Sequence, residues 1–233
     1  MNWLPALAVA SLSLAALCSL WIIADEFRHP QKMGIMNVVW PATALYLSVV
    51  GLWAYFRLGR HMTKEAQVSK QMKSGNSANA SKQHLPWPQI AVADSHCGAG
   101  CAIADVVAEF LVFGLGLSIA GVTLWADYSL DLACAWLLGI VFQYFTIKPM
   151  LKLSVSEGIL AAIKADTLSI ISFQVGMYAW MAAVYFLLFP KPHLHPNEAL
   201  YWFMMQIGMI AGYLTAFPMN GWLLKRGFKE SMG

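Results

Sequence analysis

The run WLPALAVASLSLAALCSLWIIA, residues 3–24, carries no charged side chain from end to end. A hydrocarbon core ~30 Å thick, crossed at ~1.5 Å per residue, asks for about 20 such residues in helical form. Five further stretches have the same character, at 36–57, 99–125, 130–147, 167–189 and 199–223. They are continuous apolar runs rather than ten-residue alternations, which predicts helices and not a barrel. The expected fold is all-α: a polytopic membrane bundle of six transmembrane helices.

Composition agrees. Of 233 residues, 59% are hydrophobic and 12% charged, against roughly half and a quarter in ordinary soluble domains. A disordered chain, a disulfide-rich secreted scaffold and a nucleic-acid binder are excluded, and the lipid bilayer is the first partner. The first run has no Lys or Arg before it, and Leu17 precedes Cys18 where a lipoprotein signal needs a small residue. It therefore reads as a retained anchor.

Lys and Arg set the expected orientation. Arg57, Arg60, Lys64, Lys70, Lys73, Lys82, Lys148, Lys152, Lys164, Lys225, Arg226 and Lys229 fall on one side of a six-crossing chain, leaving Arg28, Lys32 and Lys191 on the other. Both termini are then expected in the cytoplasm, with a short acidic external connection at 126–129 near Asp127 and Asp131. The organisation reads as a two-span hairpin at 1–60, a cytoplasmic linker at 61–94 and a four-span bundle at 95–233. Within the linker, 69–82 is polar and without apolar period, and Pro86-Trp87-Pro88 returns the chain to the membrane surface. The segment 151–164 reads as a short interfacial helix, with Asp166-Thr167 capping the span that follows.

The chemistry concentrates in Ser95-His96-Cys97-Gly98-Ala99-Gly100-Cys101, followed by Asp105 and Glu109. In a helix, Cys97, Cys101, Asp105 and Glu109 descend one side in four-residue steps. Carboxyl groups inside a span face protein or water and mark ion or proton paths. Thiolate and imidazole suit Cu(I) or zinc. Gly98 and Gly100 are expected to open the backbone, so that His96, Cys97 and Cys101 converge on a metal at the cytoplasmic end of the third span. Met177, Met181, Met205 and Met209 extend a soft-donor path, and His193 and His195 offer external release. The absence of a CxxC pair and the methionines favour copper, with zinc as the alternative.

Plainer readings stand beside these. Small cysteines pack membrane helices, methionine is common core filler, and Gln143, Gln174, Gln206 and Asn220 fit interhelical hydrogen bonding. Gly114 and Gly116 permit close packing within the chain or in a homo-oligomer. The same cysteines would also serve a membrane thiol oxidoreductase or cofactor-holding subunit, with Asp105 or Glu109 handling protons. A transporter or metal-binding protein is expected ahead of an enzyme.

The chain resembles the bacterial integral membrane proteins of domain-of-unknown-function family 4396. The likeness rests on Met36-Asn37-Val38-Val39-Trp40-Pro41, the His-Cys-Gly-Ala-Gly-Cys core, Lys164-Ala165-Asp166-Thr167-Leu168-Ser169, Phe217-Pro218-Met219-Asn220 and Gly227-Phe228-Lys229-Glu230. The resemblance implies a bacterial inner-membrane protein and carries no assigned activity. Association of some members with multicopper oxidase domains implies copper, and a periplasmic multicopper oxidase or copper carrier as partner.

Overall fold

The computed structural model describes residues 3–66, 87–151 and 154–229. It is all-α, with helices α1 (Leu4–Arg28), α2 (Met36–Arg57), α3 (Trp87–Leu115), α4 (Thr123–Leu151), α5 (Val155–Ala183) and α6 (Ala199–Lys225). A 3-10 turn follows α2 at Gly59–Met62, and a π turn extends α5 at Val184–Leu188. Six helical segments are long and apolar enough to cross a membrane, as expected. The bundle turns apolar side chains outward, among them Leu17, Trp21, Phe27, Phe145, Val175 and Leu214, and buries Asp94, His96, Asp105, Glu109, Asp166 and Lys229. An apolar exterior around a polar interior is the arrangement a bilayer selects.

The second segment does not run straight. Ser48 has φ 48° and ψ −122°, close to the first central position of a type II′ turn, and the chain reverses there. A Cβ on Gly51 would meet the Ala44 Cα at 2.9 Å, and the rings of Trp40 and Tyr55 lie 5.9 Å apart. Residues fifteen apart on one straight helix would be ~22 Å apart. The arms 36–47 and 49–57 therefore pack against each other, and both outer ends lie beside the C-terminal end of α1. Arg60 forks onto Asp25 at 2.7 and 2.8 Å, and Tyr55 donates to the same carboxylate at 2.6 Å. A backbone bridge joins Gln31 to Thr63. The tip is anchored as well: Gln206 Nε2 donates to the Leu45 carbonyl at 2.8 Å, and Ser11 Oγ donates to Gln206 Oε1 at 2.7 Å. Leu45 is among the last carbonyls of the first arm, which a helix end leaves without an internal partner.

This path corrects the expected arrangement of ends. The hairpin enters and leaves at one end of the bundle, so α1 runs parallel to α6, and Leu4 and Lys225 lie at opposite ends. The expectation of both ends of the chain on one side does not fit the described residues Leu4 and Lys225. Among the described residues Arg28, Lys32, Arg57, Arg60, Lys64, Lys164, Lys225, Arg226 and Lys229 gather toward one end, and Lys191 alone stands at the other. Charge segregation is sharper than six straight crossings would give.

Three boundaries also differ. α3 begins at Trp87 inside the expected linker, because Pro88 suits the first turn of a helix and the polar residues that follow find buried partners. The connection to α4 is 116–122, marked by positive φ at Gly116, Ala120 and Gly121, so 126–129 belongs to α4 rather than to a loop. No separate interfacial helix precedes α5, which starts at a capping box of Ser154 and Glu157. Asp166 and Thr167 are therefore mid-helix instead of a cap. Of the expected linker, 67–86 lies outside the described residues, as do Lys152 and Leu153.

Candidate functional site

α3 runs through the centre of the bundle as an unbroken helix. Cys97 starts ~15 Å from its first residue, and Glu109 lies ~9 Å from its last, by helical rise. The motif is thus deep in the span rather than at its mouth, and Glu109 is nearer the far end than the middle.

Of the motif's glycines, Gly98 has a packing role. A Cβ on Gly98 would meet the Tyr46 hydroxyl at 2.5 Å, whereas one on Gly100 would sit in ordinary contact, 3.7 Å from the Gly139 Cα. Gly98 lets the hairpin approach closely, and the backbone is not opened at either glycine. His96 consequently points away from the thiols. Its Nε2 lies 3.1 Å from Thr146 Oγ1 on α4, and its ring meets Phe142 edge-on. Cys97 and Cys101, one turn apart and both buried, hydrogen-bond each other. Among the described residues no three His, Cys, Asp or Glu side chains are close enough to share a metal ion. The expected trio reduces to a thiol pair with an imidazole turned aside.

Toward the Lys191 end the expected path residues come together. A cavity of about 80 Å³ is lined by Glu109, Met177, Met181, Met205, His193 and His195. Met177, Met181, Met205 and Met209 form one continuous buried cluster with Cys97 and Cys101. Glu109 is buried, as expected of an acid within a span, and Tyr201 donates to it. Asp105, one turn deeper, accepts from Gln174 at 3.4 Å and leaves its second oxygen without a partner among the described residues. His193 stacks on Tyr185 at 3.8 Å, and His195 is exposed at the rim.

Two acids there were not anticipated as site residues. Asp127 and Asp131, in the first turns of α4, face inward toward Glu109, and Asp131 is also within Coulombic range of Asp105. Their four-residue spacing was the available signal, hidden because the stretch resembled a short acidic loop.

The opposite end is built differently. Asp94, Asp166, Ser169, Asn220 and Lys229 form a buried network between α3, α5, α6 and the C-terminal segment. Asn220 donates to Asp94 at 2.6 Å, and Ser169 donates to Asn220 Oδ1 at 2.8 Å. Lys229 Nζ donates to Asp166 at 2.7 Å and to Asn220 at 3.0 Å. Burial pushes the Lys229 ammonium down, but Asp166 and Cys97 foremost, and Asp94 with them, outweigh it and hold its pKa above the ordinary lysine value. Of the four polar residues expected to join helices, Gln174, Gln206 and Asn220 do so. Gln143 is buried with no partner among the described residues.

A sequence profile of one family, described as Domain of unknown function (DUF4396), matches residues 86–229. The match takes in α3 through Lys229 and so contains the thiol pair, the cavity acids and the lysine network. Neither the curated proteins nor the solved structures contain a match to the chain.

Proposed function

The chain belongs to the DUF4396 family, and on that premise we propose that it is a membrane metal transporter whose cargo is Cu(I). One observation carries the reading: four methionines and the Cys97–Cys101 pair line up in a single buried cluster that ends at a cavity rimmed by His193 and His195. Thioether, thiolate and imidazole are the donors that favour Cu(I) over hard cations. A monovalent soft ion tolerates sites of few donors, so a thiol pair without His96 is an adequate waypoint. Cys97 and Cys101 hold the ion in mid-span, Met177, Met181, Met205 and Met209 pass it on, and the two histidines exchange it at the surface. Asp105 and Glu109, joined by Asp127 and Asp131, carry protons that keep charge balanced as the ion moves.

The basic end faces the cytoplasm under the positive-inside rule, which puts the cavity on the periplasmic face of a bacterial inner membrane. A periplasmic copper carrier or multicopper oxidase is the partner that fits this placement.

The test is Cu(I) retention by purified, reduced protein without an affinity tag of histidines, in competition with a chromophoric chelator. Cys97→Ser/Cys101→Ser is expected to weaken retention ~10-fold or more, as loss of metal-site groups does. Equal retention by both proteins overturns the reading. Retention of Zn(II) alone moves the cargo to zinc, and disulfide turnover without metal retention replaces transport by thiol redox chemistry.

A further inference from the structure

The C-terminal segment does something that the transport reading does not use. α6 ends in a Schellman motif: Phe228 N–H bonds the Leu223 carbonyl at 3.0 Å, Gly227 N–H bonds the Leu224 carbonyl at 3.2 Å, and Gly227 has φ +70°. The turn sends the chain back into the bundle. Residues 225–228 are exposed, yet Lys229 is buried to 2% exposure. Its ammonium also reaches the Ala93 carbonyl at 3.5 Å, one helical turn before Cys97.

The place it fills is made for a cation. Asp166 and Asn220 touch the ammonium, and Asp94 stands behind Asn220. Two fully buried oxygens there, Asp94 Oδ2 and Asp166 Oδ2, have no hydrogen-bond partner among the described residues. Two carboxyl groups share one ammonium there, so the pocket holds more acceptor oxygens than Lys229 and Asn220 satisfy. A long lysine costs much to bury, and Lys229 lies beyond α6 after a glycine turn, so it can leave without unpacking a helix, as Asp94, Asp166 and Asn220, all within helices, cannot.

We propose that Lys229 is a tethered-cation plug. It occupies a cation site formed by the Ala93 carbonyl, Asp94, Asp166 and Asn220, closing the basic end of the route beside Cys97. While it is seated, its charge repels a second cation from this end. When the Gly227 turn releases, the carboxylates and the thiol pair are opened to that side. The inference rests on the transport reading only for the identity of the cargo.

Accessibility of Cys97 tests it without metal. In a chain with Cys18, Cys101 and Cys134 replaced by serine, a membrane-impermeant maleimide is applied to vesicles of each orientation. Unmodified Lys229 is expected to give slow labelling from both faces. Lys229→Ala is expected to speed labelling about tenfold from the basic face only, as a local opening does. Gly227→Ala, which leaves every buried charge in place, is expected to move the rate the same way by a smaller factor, and Lys229→Arg to stay slow. Unchanged rates in Gly227→Ala and Lys229→Ala overturn the plug, as does equal acceleration from both faces. If Lys229→Ala does not fold, Gly227→Ala decides. Directional labelling in a protein that retains no Cu(I) keeps the plug and removes the cargo.

Discussion

The two ends of α3 treat the same chemical group in opposite ways. At the basic end Asp94 and its neighbour Asp166 are answered by a built-in cation, Lys229, and locked to α6 through Asn220. At the cavity end Asp105 accepts from Gln174 and Glu109 from Tyr201, and neither these nor Asp127 and Asp131 form an ion pair among the described residues. Burial of a carboxyl group is costly at either end. An acid held by its own lysine is paired off within the protein, whereas the acids that line the cavity have no cation of the chain against them among the described residues. The thiol pair lies between the two regimes.

The largest expected effect comes from breaking the closed end. Asp166→Ala removes the direct ion-pair partner of the buried Lys229 ammonium and is expected to cost ~3–5 kcal/mol in a denaturant titration in detergent. Asp166→Asn/Lys229→Met, which removes both charges, is expected to cost less than the sum of the single changes. Additive losses would show that the pair is not coupled, and the contrast between the ends would fail.

The hairpin supports both ends, since it packs Tyr46 against Gly98 and hangs its tip on Gln206. Gly51→Leu drives a side chain into Ala44 and is expected to destabilise by ~1–3 kcal/mol. Topology reporters fused before Leu4 and after Lys229 are expected to give opposite signals. Equal signals would restore six straight crossings and put the cavity and the basic residues in a different relation.

The open end is expected to be tolerant. Glu109→Gln keeps the Tyr201 contact in shape and should cost no more than ~1.5 kcal/mol of stability, while Cu(I) transport in proteoliposomes falls sharply. A stable variant with full transport would make the cavity acids structural and erase the difference. Smallest of all, His195→Ala at the exposed rim is expected to stay within ~0.5 kcal/mol of the parent in thermal unfolding, its effect confined to the rate of metal exchange.

The sequence alone determined that the chain is a helical membrane protein with six apolar segments, because composition and run length report on solvent directly. It also determined that Asp105 and Glu109 face inward, since a bilayer leaves a carboxyl group no other place. The path of Met36–Arg57 was decided by tertiary structure. Hydropathy has no direction, so one span and two half-length arms score alike, and the reversal depends on a left-handed φ at Ser48 that no residue type announces. A signal was present: Arg28 and Lys32 precede this stretch and Arg57 and Arg60 follow it, so a straight crossing would put basic residues at both of its ends. The direction of His96, the packing use of Gly98, and the burial of Lys229 were likewise settled by neighbours distant in sequence. Spacing along a helix fixes which side chains share a face, and only the helices packed around it decide what that face meets.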